Sequence, residues 1–224
     1  KLQAKRSELR LSPDVKKVIP RFFNTGAERS LALINRVMLL PENEVHELLE
    51  HLLIEFKDRY INIQLVFENH YKAVQHLIPA PQQLAISHKM KLLIGSYFTM
   101  EYSLEHAALF NPSIVEDPDQ NGAGAGEKKV ILSFRATGEG HVSSLIFKSA
   151  KLDSKAGIHF EPAGKYMNPG TVNLLEKGYT LHFQPDSLLS ERVIFPVVLS
   201  EKNGIEDARF TKFINADGTG IFLA

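Results

Sequence analysis

The chain is predicted to combine α and all-β architecture, with a helical module over residues 1–106 followed by an incomplete β domain over residues 107–224. Two changes of rhythm predict it. In the first part, apolar residues recur at three- and four-residue steps. Val45, Leu48, Leu49, Leu52, Leu53 and Phe56 make one such helix face. After about residue 127 the period becomes two, in short runs broken by Gly, Pro, Asn and Asp, which is the pattern of strands and turns. Many short strands at this spacing fit a sandwich, a barrel or a propeller.

The elements follow in order. Ser12-Pro13-Asp14 offers a side-chain cap and a proline at a first helical position. Thr25-Gly-Ala-Glu28 has capping-box spacing and leads into Leu31, Leu33, Ile34, Val37 and Leu40. Pro41-Glu-Asn-Glu44 opens another helix, with acidic residues that complement its dipole. Further helices are expected from Phe67 to Leu77 and from about Gln83 to His106, separated by Pro79-Ala-Pro81, and Pro112 is expected to stop the last of them. Asp117 to Gly126 reads as a surface loop. Lys129 to Ala136 and His141 to Ala150 read as strands joined by the turn Thr137-Gly-Glu-Gly140. Shorter strands are expected at Gly157 to Glu161, Thr180 to Phe183, Val193 to Ser200, Ile205 to Phe213 and Gly220 to Ala224. Because Gly218 to Ala224 stops in the middle of a strand pattern, the chain is expected to be a fragment.

Composition narrows the function classes. Lysine plus arginine equals aspartate plus glutamate at 26 each, so no basic surface is expected for nucleic acid or an anionic membrane. A neutral partner such as a sugar fits better. No cysteine is present, which removes thiol nucleophiles and thiolate metal sites and fits a reducing compartment. The cytoplasm is therefore expected, with the periplasm left open. No apolar run reaches the roughly 20 residues that span a bilayer. The nine histidines are scattered, and no His-Glu-x-x-His or Gly-x-Ser-x-Gly motif occurs, so neither a metal site nor a serine hydrolase is expected.

Three constellations remain. Alternation along Ile205 to Phe213 puts Asp207, Arg209 and Thr211 on one face and Glu206 on the other. That pairing suits a polyhydroxylated ligand, but it also describes an exposed ion pair. An adjacent arginine lowers a carboxyl pKa, whereas a general acid needs it raised. Ser133 and Arg135 share a strand face, and the turn beyond them presents Glu139 and His141 between glycines that permit close backbone approach. The alternative there is a hairpin with a polar tip. Asn111 and Ser113 could bind sugar hydroxyls or simply form an Asn-Pro-Ser turn.

Glu101-Tyr-Ser-Leu-Glu105, Ala107-Ala-Leu-Phe-Asn-Pro-Ser113, Ser133-Phe-Arg-Ala-Thr-Gly-Glu-Gly-His-Val-Ser-Ser144 and Asn203-Gly-Ile-Glu-Asp-Ala-Arg-Phe210, in this order, resemble the longer members of glycoside hydrolase family 130. Arg21-Phe-Phe and the helical stretch after it resemble the amino-terminal extension of those members.

The resemblance implies a five-bladed β-propeller preceded by helices that help build a homo-oligomer. It implies inverting cleavage of β-mannoside oligosaccharides, by phosphorolysis or by hydrolysis. The family's catalytic acid falls on Asp207, with the proton relayed through a mannose hydroxyl in the phosphorylases. Asn111, Ser113 and Arg135 would hold the mannosyl unit, Arg209 would lie nearby, and Glu139 and His141 would line the channel. Ala208 stands where many members have proline. No cofactor or metal is implied, only inorganic phosphate as co-substrate of a phosphorylase. The residues that handle phosphate or water would lie mostly beyond Ala224, so these 224 residues alone are expected not to turn over substrate.

Overall fold

The computed structural model describes residues 8–24, 26–155 and 157–224, which divide into two compact units. One is Ile19–Tyr102; the other joins residues 8–18 to Ser103–Ala224.

In the first unit, strand β1 (Val18–Phe22) precedes helices α1 (Ala27–Met38), α2 (Glu42–Phe56), α3 (Ile63–Val74), α4 (Ala80–Ala85) and α5 (His88–Tyr97). Strand β2 (Thr99–Ser103) then pairs with β1. Ile34, Val37, Val45, Tyr71, Leu93 and Phe98 form the centre of its core. Gly95, in the last turn of α5, lets α3 approach: a Cβ there would lie 1.8 Å from the Phe67 carbonyl oxygen. Such a glycine costs helix propensity and gains close packing instead.

Two helical expectations are corrected. Ser12-Pro13-Asp14 starts no helix, because the Asp14 carboxylate takes the Lys16 N–H at 3.0 Å in a turn and the β-branched Val18 and Ile19 enter β1. The stretch expected from Gln83 to His106 is broken at Ile86–Ser87, where the Ser87 hydroxyl caps the Met90 N–H at 3.2 Å. It ends at Tyr97, before β2. The proposed capping role of Thr25 lies outside the described residues.

In the second unit, β3 (Ala108–Glu116), β4 (Lys128–Thr137), β5 (Ser143–Leu152) and β6 (Ile158–Phe160) form an antiparallel sheet in that order. Two hairpins stand apart: β7 (Thr171–Leu174) with β8 (Tyr179–His182), and β10 (Thr211–Ile214) with β11 (Gly220–Leu223). The short β9 (Val193–Ile194) pairs with the start of β5, at Leu145 and Ile146. Pro112 is therefore inside a strand and stops no helix. The register slips between Phe110 and Ser113, and a residue without an N–H is tolerated at such a bulge. The strand expected over Ile205 to Phe213 begins only at Thr211.

Alternation gives the sheet two faces. Val130, Leu132, Phe134, Ala136, Ile146 and Ala150 are buried on one. On that face Lys148 stands across from Leu132. Its ammonium pKa is lowered first by burial and then by Lys17, against the pull of Glu105 and Asp14. Glu105 is completely buried, 3.2 Å from the Lys17 ammonium, and accepts the Asp14 N–H at 2.8 Å. Leu104 N–H to Lys17 O at 2.9 Å completes this tie. The other face carries Ser133, Arg135, Thr137, Ser143 and Phe147.

Candidate functional site

The second face organises the polar residues. The bulge in β3 turns Asn111 into the left-handed region, with φ 51. Beside the start of β5, Gly204 has φ 111, and a Cβ there would meet the Ser143 nitrogen at 2.4 Å. Only glycine fits this approach. It allows the Ile205 N–H to bond the Ser143 carbonyl at 2.9 Å and directs the next residues towards β4. Asp207 is itself left-handed, with φ 45. Asn and Asp are the side chains most tolerant of that region, and outliers of this kind concentrate at functional sites.

These distortions bring one cluster together. Asn111 Nδ2 donates to Asp207 Oδ1 at 2.7 Å, and an Arg135 nitrogen donates to the same oxygen at 3.5 Å. Arg135 also donates to Glu206 Oε1 at 2.6 Å and, through Nε, to Ser143 Oγ at 3.0 Å, while its guanidinium lies 5.0 Å from the centre of the Phe110 ring. With partners on several sides, that guanidinium is held in one orientation. Arg209 donates to the Asn111 carbonyl at 2.9 Å, and Ser113 Oγ accepts the Phe210 N–H at 3.2 Å. Two arginines and two carboxylates make the cluster close to neutral.

Strand alternation failed at Asp207. Glu206 was expected on the opposite face, but the left-handed residue breaks the period and both carboxylates reach Arg135. The sequence pattern marks none of Phe110, Ser143 and Gly204 as a site residue and points Glu206 away. Phe110 could have been found once β3 was recognised, since it stands opposite Arg135. Glu139 and His141 lie in a 3-10 turn at the hairpin tip: Glu139 accepts the Ser103 N–H at 3.4 Å, and His141 is exposed with φ 61. Their described contacts do not join them to Asp207.

The Asp207 carboxyl is held below the usual carboxylate range, chiefly by the Asn111 hydrogen bond with help from Arg135 and Arg209, against the opposing effect of desolvation. Its side chain is 47% exposed. In this form Asp207 is an acceptor. Among the described residues no cluster of three or more His, Asp or Glu could hold a metal, and no helix is long and apolar enough to cross a membrane. Comparison with protein-family models, curated proteins and solved structures finds no match.

A cavity of about 330 Å³ lies in the helical unit. Its carboxylate, Glu101, already accepts from Tyr60 at 2.5 Å and Arg59 at 2.7 Å. Burial, followed by Glu101, pushes the Tyr60 hydroxyl pKa up, so it stays protonated.

Proposed function

We propose that the chain binds a β-mannoside at the Asp207 cluster and serves an inverting β-mannoside phosphorylase or hydrolase. The observation that carries this reading is the convergence of Asn111, Arg135 and Asp207 within hydrogen-bonding range, with two of the three on left-handed backbone. Such a pre-set group of donors and acceptors suits the hydroxyls of one sugar ring, and its near neutrality suits an uncharged ligand. In this proposal Asn111, Ser113 and Arg135 position the mannosyl unit, Arg209 supports Asn111, and Glu139 and His141 line the approach. The wider scaffold is a five-bladed propeller with a helical extension that mediates self-association. Inorganic phosphate is the co-substrate if cleavage is phosphorolytic.

Asp207 is the acid in this scheme, and its lowered pKa sets a condition. The proton must be taken up as bound sugar displaces water from the half-exposed carboxyl, since desolvation favours the neutral form. Passing the proton through a mannose hydroxyl spares Asp207 direct contact with the leaving oxygen. Inversion then needs phosphate or activated water on the opposite face of the ring.

The same lowered pKa favours a second reading, sugar binding without turnover, because an ionised carboxylate is already a good acceptor for hydroxyls. Product analysis separates the two. The intact protein should cleave β-mannosyl disaccharides with or without phosphate, and Asp207→Asn should lose at least a hundredfold in rate. Wild-type rates in that variant would exclude Asp207 as the acid; binding without any product would favour the second reading.

A further inference from the structure

We infer that Glu206 is a positioning residue of the site: it holds the Arg135 guanidinium back from Asp207, so that the Asp207 carboxyl can take up the proton it delivers. The inference rests on the acid role proposed for Asp207. Arg135 is shared unequally between the two carboxylates. Its Nη2 donates to Glu206 Oε1 at 2.6 Å, whereas its Nη1 lies 3.5 Å from Asp207 Oδ1. The first is a short charge-assisted bond, and the second is at the outer limit of one. The remaining contacts of the guanidinium fix that choice. Its Nε donates to Ser143 Oγ at 3.0 Å, and its carbon sits 5.0 Å from the centre of the Phe110 ring. A two-pronged grip on Asp207 would require Nη2 to leave Glu206.

The backbone builds this sharing in. Neighbouring residues of a regular strand point to opposite faces, which would send one of the two carboxylates away from Arg135. Asp207, with φ 45, breaks the alternation and brings both to one guanidinium. Around Asp207 stand Arg135 from β4, Arg209 two residues beyond it, Glu206 just before it, and the neutral Asn111 amide of β3 at 2.7 Å. Both arginines favour the ionised carboxyl, which is the wrong form for an acid. Arg209 is turned to carbonyl oxygens, those of Asn111 at 2.9 Å and Pro112 at 3.5 Å. Glu206 balances Arg135 and so limits the pull of the nearer cation on Asp207. Bound sugar works in the same direction when it displaces water from that carboxyl. The Glu206 side chain is 60% exposed, so its influence runs through the placement and charge of Arg135 and not through a dry contact with Asp207.

Glu206→Gln tests the inference, because the amide keeps the shape and an acceptor for Arg135 but loses the charge. Carbon-13 NMR titration of the Asp207 carboxyl in the intact protein should show its midpoint falling by about half a pH unit in the variant, as expected for the loss of one exposed ion pair. The sign follows from the charges. Without Glu206 the whole charge of Arg135 acts on Asp207, and the proton is held only at lower pH. This readout needs no substrate. In the profile of kcat against pH for a β-mannosyl disaccharide, the alkaline limb reports loss of the acid's proton in the bound complex. That limb should move to lower pH by a similar amount, about threefold in rate at a fixed pH on the limb. A merely structural role would lower kcat at every pH and leave the limb in place. An Asp207 midpoint that stays or rises in Glu206→Gln would overturn the inference while leaving the mannoside reading standing, as would a limb that does not move. Binding of the disaccharide by the wild type without any product would overturn the acid role, and this inference with it, whatever the NMR midpoint.

Discussion

Replacing Glu105 by Gln should destabilise the sheet unit strongly. The carboxylate is fully buried, and Lys17, whose side chain is 10% exposed, lies 3.2 Å away. The contact is off hydrogen-bonding geometry, so its value is mainly Coulombic, whereas the Asp14 N–H bond at 2.8 Å is well formed. Glutamine can keep that bond through its carbonyl oxygen, but it leaves the Lys17 ammonium buried without its charge partner. Breaking a buried pair in this way costs about 3–5 kcal/mol. A domain of this size shifts its Tm by roughly 2–4 °C per kcal/mol, so thermal unfolding should fall by about 6–20 °C. Lys17→Met combined with Glu105→Gln should recover part of the loss, since the Lys17 charge is gone while Lys148, the other cation beside Glu105, stays. Urea and thermal unfolding of the four proteins in this cycle measure it. A loss below about 1 kcal/mol in Glu105→Gln, or a double variant as unstable as the summed singles, would refute the reasoning.

Three further outcomes follow from the geometry. Gly204→Ala should leave most of the fold intact but displace residues 205–207, because its Cβ would meet the Ser143 backbone; mannoside affinity should fall at least tenfold with a Tm change of only a few degrees. Asn111→Ala removes the largest influence lowering the Asp207 pKa, so the carboxyl should titrate at higher pH in a carbon-13 NMR titration; an unchanged titration would contradict the assigned cause. Burial pushes the His70 pKa down to about 4. Its Nδ1–H donates to Thr99 Oγ1 at 2.7 Å, because the threonine hydroxyl is itself committed to the Gly95 carbonyl. The unfolded chain binds a proton there that the folded unit does not, so stability should fall as pH drops from about 6.5 towards 4. With the ring partly exposed, the loss should be about 1–2 kcal/mol, and His70→Gln should flatten it in urea melts across that range.

Periodicity located α1 and α2 because their buried faces repeat at helical spacing, as with Val45 and Leu49 in α2. The β4–β5 hairpin was legible for a similar reason, its alternating runs being long and its turn glycine-rich. Residues 99–110 were not. Thr99 to Ser103 and Ala108 to Phe110 carry enough apolar and aromatic residues to suit either period, and pairing with β1 and β4 decides for strand. At the site, the residue types were visible but their arrangement was not. Motifs point to Asn111, Arg135 and Asp207, yet what joins them is a bulge at Pro112, a glycine approach at Gly204 and two positive φ angles. No local pattern encodes those, since each depends on a strand distant in sequence. For that reason strand alternation points Glu206 away from Arg135, whereas the structure joins the two.

The central claim is that Asn111, Arg135 and Asp207 together hold one sugar ring. Titration of the isotope-labelled protein with β-mannobiose, followed by amide and side-chain NMR, tests it directly. The account predicts saturable shifts centred on Asn111 Nδ2, the Arg135 guanidinium and the residues flanking Asp207, lost in Asp207→Ala. Saturable binding that leaves those signals unmoved, or binding that survives Asp207→Ala unchanged, would contradict it.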